Sequence, residues 1–310
     1  MSFQKINSLA SARIPFLVIT DFKAEKIEVF TLDELKKENI EFSFNSSVKA
    51  KLKTKLATDP IPLNVYKEKF DQVIEQIKNG NTYLFNLTQP TPITTSHSLK
   101  EIYNNSSAPF KLLYKDKFVC FSPEKFIDIN NSTISTYPMK GTIDASVENA
   151  KEKILADQKE MAEHVMITDL LRNDLGIVAK NIKVDSFRYV EKIDAGDKEL
   201  LQVSSKISGK LPDNWRENFG DILSSLLPAG SISGTPKKKT VELIESIENY
   251  DRNYFTGVFG YFDGKSFKSA VMIRFIQKYN NSLVYKSGGG ITIDSNAKNE
   301  YREMLEKVYI

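Results

Sequence analysis

"VFGYFDGKSFKSAVMIRF", residues 258–275, decides the fold. Two runs rich in aromatic and β-branched residues flank Asp263-Gly264, a pair suited to the left-handed positions of a type I′ turn. The stretch reads as a β-hairpin. A second hairpin signal follows at once in "IRFIQKYNNSLVYKSGGGIT", residues 273–292, before a helical pattern over 296–309. Working outward, "FLVITDFKAEKIEVF" (16–30) is two strand-like runs around a charged turn. "FKLLYKDKFVCFSPEKFIDINNSTISTYP" (110–138) is a strand meander turning at Lys115-Asp116 and Asn130-Asn131. Between them, apolar residues at 66, 70, 73, 74 and 77 make a helical stripe that stops at Gly80. "TYLFNLTQ" (82–89) follows as a strand, and a long helix is expected over 147–172. Residues 45–62 are polar and Lys-rich and read as an exposed connection.

Strand runs at both ends with helices between them predict an α+β class, with large antiparallel sheets packed as a sandwich and flanked by helices. No regular βαβα alternation argues for a doubly wound sheet. The expected organisation is one domain over 1–310: a short N-terminal sheet segment and connection (1–59), then a core (60–310). The 310 residues carry 43 basic and 40 acidic side chains, a net +3, too even to argue for nucleic acid. The lone Cys120 cannot form an internal disulfide, which points to a reducing, cytoplasmic setting. No apolar run reaches the roughly 18 residues that span a bilayer, so no membrane partner is expected.

Chemistry concentrates in a few places. Lys140, in "STYPMKGTI" (135–143), has no charged neighbour from Asn131 through Ile143. A lysine in an apolar setting has its charged form disfavoured, so a neutral amine is expected. Glu300, Glu303 and Lys307 share one helical face, and Glu160 and Glu163 are again three apart, with Met161, Val165 and Ile167 expected as core. Such acidic pairs are commonly solvated faces. If the two pairs converge they need a cation, and hard oxygen ligands suit Mg²⁺. His97 and His164 have no zinc-ligand spacing. In "LPAGSISGTPKKKTVELI" (227–244), Thr235 reads as an N-cap, Pro236 as the first helical residue, and the lysines oppose the macrodipole. Gly230, Ser231, Ser233 and Gly234 then offer donors to an anion; a tight loop with a solvated lysine face fits equally. "KSGGGIT" (286–292) reads as a glycine-rich bend near a ligand carboxylate, or as a β-bulge. Arg274, within the apolar strand "VMIRFI", needs an anion. A small dianionic substrate fits these donors.

Taken in order, "FSPEKF", "TYPMKGT", "AEHVMITDLLRNDLG", "PAGSISGTPK", "TGVFGYFDG", "IRF", "GGGITIDS" and "EYREMLEK" resemble the chorismate-utilising enzymes over residues 60–310. Within that family "PMKGT" is similar to the P-I-K-G-T of aminodeoxychorismate synthase component I; anthranilate synthases carry alanine at the lysine position. "TYLFNLTQ" lacks the general-base lysine that isochorismate and salicylate synthases place there. The resemblance implies amination of chorismate at C4 to 4-amino-4-deoxychorismate, toward 4-aminobenzoate and folate. It implies Lys140 as nucleophile, Glu124 as general acid, and Glu163, Glu300 and Glu303 as Mg²⁺ ligands, with Glu160 assisting through water. Thr142, Arg274, Gly288, Gly289 and Lys307 are implied as carboxylate-holding positions. Leu84 departs from the family glutamine and Gln202 from the family histidine. No L-L-E-S motif appears, so no tryptophan feedback is expected. Cys120 does not resemble a glutaminase nucleophile, so ammonia is expected free or from a separate glutaminase subunit, and no lyase is expected in the chain. The alternatives are anthranilate synthase component I and a catalytically weak chorismate-binding subunit.

Overall fold

The computed structural model describes residues 2–44, 56–194, 199–280 and 282–308. Two large antiparallel sheets carry them. The first runs in the order Met139–Asp144, Glu199–Lys210, Thr133–Thr136, Lys125–Asn130, Phe267–Val271, Val258–Phe262, Phe16–Thr20 and Ile27–Thr31, with Lys180–Asp194 also paired to Glu199–Lys210. The second runs Gly234–Thr235, Leu84–Thr94, Ser282–Ile291, Phe275–Tyr279, Phe118–Ser122, Phe110–Tyr114 and Ile40–Ser43, with Ala57–Thr58 added beside Leu84–Thr94. Phe16–Thr20 shows why its sequence is apolar without alternation. Phe16 and Val18 enter the large core beneath the helices, while Leu17 and Ile19 enter a second core filled from both sheets. A strand buried on both faces needs no polar face. Cys120 lies in that inter-sheet core, where burial pushes its thiol up.

The deciding hairpin forms as read, Val258–Phe262 against Phe267–Val271, with Gly264 at φ +94° in the turn. The strand does not continue to Arg274. It leaves the first sheet at Met272 and re-enters the second at Phe275, with Arg274 at φ +51° in the break. Phe118–Asn130 makes the same exchange at Pro123-Glu124. The two breaks are bonded together: Phe121 N–H donates to Arg274 C=O at 3.2 Å, and Val271 N–H to Glu124 C=O at 3.1 Å. A backbone leaving a sheet must still find partners for its polar groups; here each break supplies the other.

Several expectations are corrected. The long helix is two, Ala150–Ala156 and Gln158–Val178. Extended Asp157 separates them and caps the second by accepting from Glu160 N–H at 3.0 Å. Met161 and Val165 are exposed, and only Ile167 of that trio is core. Pro236, not Thr235, is the N-cap of Lys237–Glu248; Thr235 belongs to a short strand against Leu84. The glycine run is neither bend nor bulge. Gly288, Gly289 and Gly290 pair in unbroken register with Thr88, Leu87 and Asn86. Sequence reading missed the helix Ser2–Ser11 and the strand Lys180–Asp194. The connection expected over 45–62 lies outside the described residues as far as 55, and Ala57–Thr58 is an exposed strand. Among the described residues no helix is long and apolar enough to cross a membrane.

The glycine strand sets one stability expectation. A Cβ at Gly288 would lie 2.2 Å from Leu87 C=O, forcing adjacent strands apart. Gly288→Ala is expected to cost about 1–3 kcal/mol. Gly176, inside a helix with nothing within 4 Å of a Cβ, is expected to gain roughly 0.5–1 kcal/mol as Ala. Urea midpoints measure both, and similar midpoints for the two variants would contradict the close strand approach.

Candidate active site

Lys140 is aimed by a defect in its strand. Met139 pairs with Ser204 and Thr142 with Gln202, so three steps on one strand face two on the other. The extra residue is a bulge, and Gly141 takes the left-handed backbone it needs, at φ +86°. The Lys140 side chain is 19% exposed and its Nζ lies 3.3 Å from Glu163 Oε2. It passes over Gly290, where a Cβ would come within 2.9 Å of Nζ.

Two helices bring carboxylates to this amine. Gln158–Val178 supplies Glu160 and Glu163; Ala297–Glu306, capped by Asn296, supplies Glu300 and Glu303, with Lys307 just past its end. Lysines hold them. Lys159 lies 3.0 Å from Glu300 Oε1 and 3.8 Å from Glu163 Oε1, and Lys307 lies 2.6 Å from Glu303 Oε1 while donating to Gly288 C=O at 2.9 Å. Glu163 and Glu300 are buried. Burial favours the neutral Lys140 amine, but Glu163, Glu160 and Glu303 outweigh it and raise its pKa above the ordinary lysine value. The neutral resting amine expected from sequence is therefore corrected: an apolar local sequence met acids from distant helices. Burial and the neighbouring Glu163 push the Glu160 carboxyl up. Burial works upward on Glu303 too, but Lys307, Lys140 and Lys159 hold it below the ordinary carboxylate range.

Glu124 approaches from the seam between the sheets. It accepts a hydrogen bond from the Ser231 hydroxyl. Burial holds its carboxyl above the usual range against that bond and the nearby Lys140, Arg274 and Lys307. Ser231 is presented by the turn Gly230–Ile232, which buried Arg252 pins: its guanidinium donates to Ile232 C=O at 3.0 Å and Asn86 C=O at 2.6 Å while pairing with buried Glu248. The loop's lysine is satisfied within the protein. Lys237 pairs with Asp174 at 2.8 Å, Ser231 donates to Glu124 and Ser233 donates to Ala229 C=O at 3.0 Å, so of the two readings of this loop, anion donors at Gly230, Ser231, Ser233 and Gly234 or a tight loop, the structure shows the tight loop with internal partners.

The structure thus gathers Lys140, Glu124, Glu163, Glu300, Glu303, Lys307, Gly288 and Gly289, with Arg274 acting on Glu124. Thr142 lies two residues beyond Lys140, exposed, opposite Gln202. Two residues were missed. His164 is buried beside Ser205 Oγ at 2.6 Å; burial and Arg188 push it down to about 4, so it is neutral. Lys159 bridges the two acidic helices, although an i,i+4 pair with Glu163 reads in sequence as a surface pair. A cavity of about 430 Å³ opens beside them, lined by Lys159, Glu163, Tyr83, Met166, Thr292 and Ile293 among others. Among the described residues no three acidic, His or Cys side chains stand close enough to grip a metal, and lysine ammonium groups pair with each of Glu163, Glu300 and Glu303. The donor set itself, the Glu163 carboxylate at the cavity wall with Glu300 joined to it through Lys159 and Glu303 on the same helix as Glu300, is of the oxygen type that suits a hard cation.

The chain is similar to known proteins along its whole length. It is 45% identical over 312 residues to an uncharacterized PabA-like protein of Haemophilus influenzae, covering 99% of this chain and 95% of that one. It is 34% identical over 259 residues to aminodeoxychorismate synthase component 1 of Escherichia coli, covering 78% of this chain but only 56% of that protein. The menaquinone-specific isochorismate synthase of Escherichia coli shares the fold, with a TM-score of 0.73 at 13% identity over 98% of this chain and 79% of that one. The model of the chorismate binding enzyme family matches residues 18–310, and the chain belongs to that family.

Proposed function

We propose that the protein aminates chorismate at C4, giving 4-amino-4-deoxychorismate as aminodeoxychorismate synthase component 1 does by its name. The observation that carries this reading is the placement of the Lys140 amine among acidic side chains, with a carboxyl held above its ordinary range, Glu124, near enough to feel its charge. Lys140 must lose a proton before attack. Glu160, itself pushed up by burial and by Glu163, is the basic group to receive it. The free amine attacks C2 of the ring while the C4 hydroxyl leaves, and Glu124 delivers the proton that makes it water. Ammonia then attacks C4 and expels Lys140. Lys307, Arg274 and the Gly288–Gly289 backbone hold the substrate carboxylates. Glu163, Glu300 and Glu303 would hold Mg²⁺, which supplies charge neutralisation for the ring carboxylate. The only thiol, Cys120, is buried in the inter-sheet core, so ammonia is taken free or from a separate glutaminase subunit.

Chorismate, Mg²⁺ and ammonium added to the protein should give 4-aminobenzoate only after an aminodeoxychorismate lyase is added. Fluorescent anthranilate formed without the lyase would assign the chain to the anthranilate branch instead. Lys140→Ala should reduce amination about 10²–10⁴-fold with chorismate binding retained; wild-type turnover would remove the nucleophile. Because Glu124 must be protonated to act, turnover should fall as pH rises through its raised pKa. Glu124→Gln should lower the rate and flatten that limb, and an unchanged pH profile in the variant would exclude Glu124 as the acid.

A further inference from the structure

We infer that Lys159 is a resident counter-ion of the proposed metal site: its ammonium competes with the divalent cation for Glu163 and Glu300 and leaves when that cation binds. This rests on the metal reading above. Glu163 and Glu300 sit on different helices, 7% and 3% exposed at the side chain. Buried carboxylates brought together without a cation repel, at a cost that water does not screen. In the structure Lys159 joins them, 3.8 Å from one and 3.0 Å from the other.

Three lysines surround the acids, and their exposure separates their roles. Lys140 is 19% exposed and comes off the strand bulge; Lys307 is 27% exposed and is also tied to Gly288 C=O; Lys159 is 39% exposed. Lys159 also lines the 430 Å³ cavity, so a rotamer change carries its ammonium into open space without moving backbone. Adding a dication to carboxylates already matched by ammonium groups leaves an excess of positive charge. The group that can leave most cheaply is the exposed one. Lys159 therefore keeps the acidic helices together in the metal-free chain and sets how tightly the metal binds.

Calorimetric titration of the full metal-free chain with MgCl₂ tests this, using Lys159→Met, the more conservative Lys159→Gln, and Lys78→Met as a control. Lys78 lines the same cavity and is exposed. Both Lys159 variants should bind Mg²⁺ about tenfold tighter than wild type, since a unit charge a few Å away is worth more than that at an effective dielectric constant near 20. Their metal-free forms should melt below wild type, with Mg²⁺ restoring the difference, and Lys78→Met should stay within about twofold of wild type. Equal or weaker binding in the Lys159 variants, with normal binding by wild type, overturns the counter-ion role and leaves the metal reading standing. Absence of Mg²⁺ binding in every form, wild type included, overturns both.

Discussion

Two segments, Phe118–Asn130 and Phe267–Tyr279, each leave one sheet and enter the other, and backbone groups at the two breaks bond to each other. The bonds from Phe121 N–H to Arg274 C=O and from Val271 N–H to Glu124 C=O close that seam. The constraint does more than hold the sheets together. It fixes Glu124 and Arg274 by main-chain bonds on both sides, one at each exchange point, where neither strand alternation nor a loop would hold them. Arg274 takes a left-handed backbone there. Strain of that kind in a residue with a Cβ persists where the surroundings over-determine it.

Around the seam, charge arranges the rest. The helices Gln158–Val178 and Ala297–Glu306 each offer carboxylates to a small buried volume, and lysines from a bulge, a helix and a helix end meet them. The glycine strand Ser282–Ile291 runs beneath because side chains there would fill the space these groups use: a Cβ on Gly289 would touch Glu303 and Lys307, and one on Gly290 would press on Lys140. Leu84 packs into the same corner, 3.2 Å from that Gly290 Cβ position, so an apolar wall stands where the family resemblance implies glutamine. The Lys140 amine therefore has dry surroundings on one side and acids on the other. Its resting charge follows from the acids, and its access to the reacting face follows from the glycines.

The hairpins were legible because their signals are local. Asp263-Gly264 fixes a turn, and alternating or continuous apolar runs fix the strands beside it. The strand exchange at Met272–Arg274 was not legible, because "SAVMIRFIQ" reads as one apolar strand interrupted only by Arg274, with no Gly or Pro to mark a change of sheet. Helix stripes gave Tyr66, Phe70, Val73 and Ile77 correctly as buried. They failed at Met161 and Val165, which turn outward, and at Asp157, whose capping role is hidden because no Gly or Pro beside it marks a break in the helical pattern. The site residues came mainly from motif resemblance, and the structure brings most of them together. What sequence could not give was their company: the ion pair of Lys159 with Glu300 spans 141 positions, and the acids that charge Lys140 come from two helices further along the chain, the second more than half its length away.

The central claim is a transient bond between the Lys140 nitrogen and the substrate ring. The most direct measurement is mass spectrometry of the protein incubated with chorismate and Mg²⁺ in ammonia-free buffer, quenched in acid and digested. The account predicts that the peptide containing Lys140 gains the mass of chorismate less one water, and that adding ammonium before the quench removes the gain. An unmodified Lys140 peptide, from protein that turns over chorismate once ammonium is supplied, would contradict it.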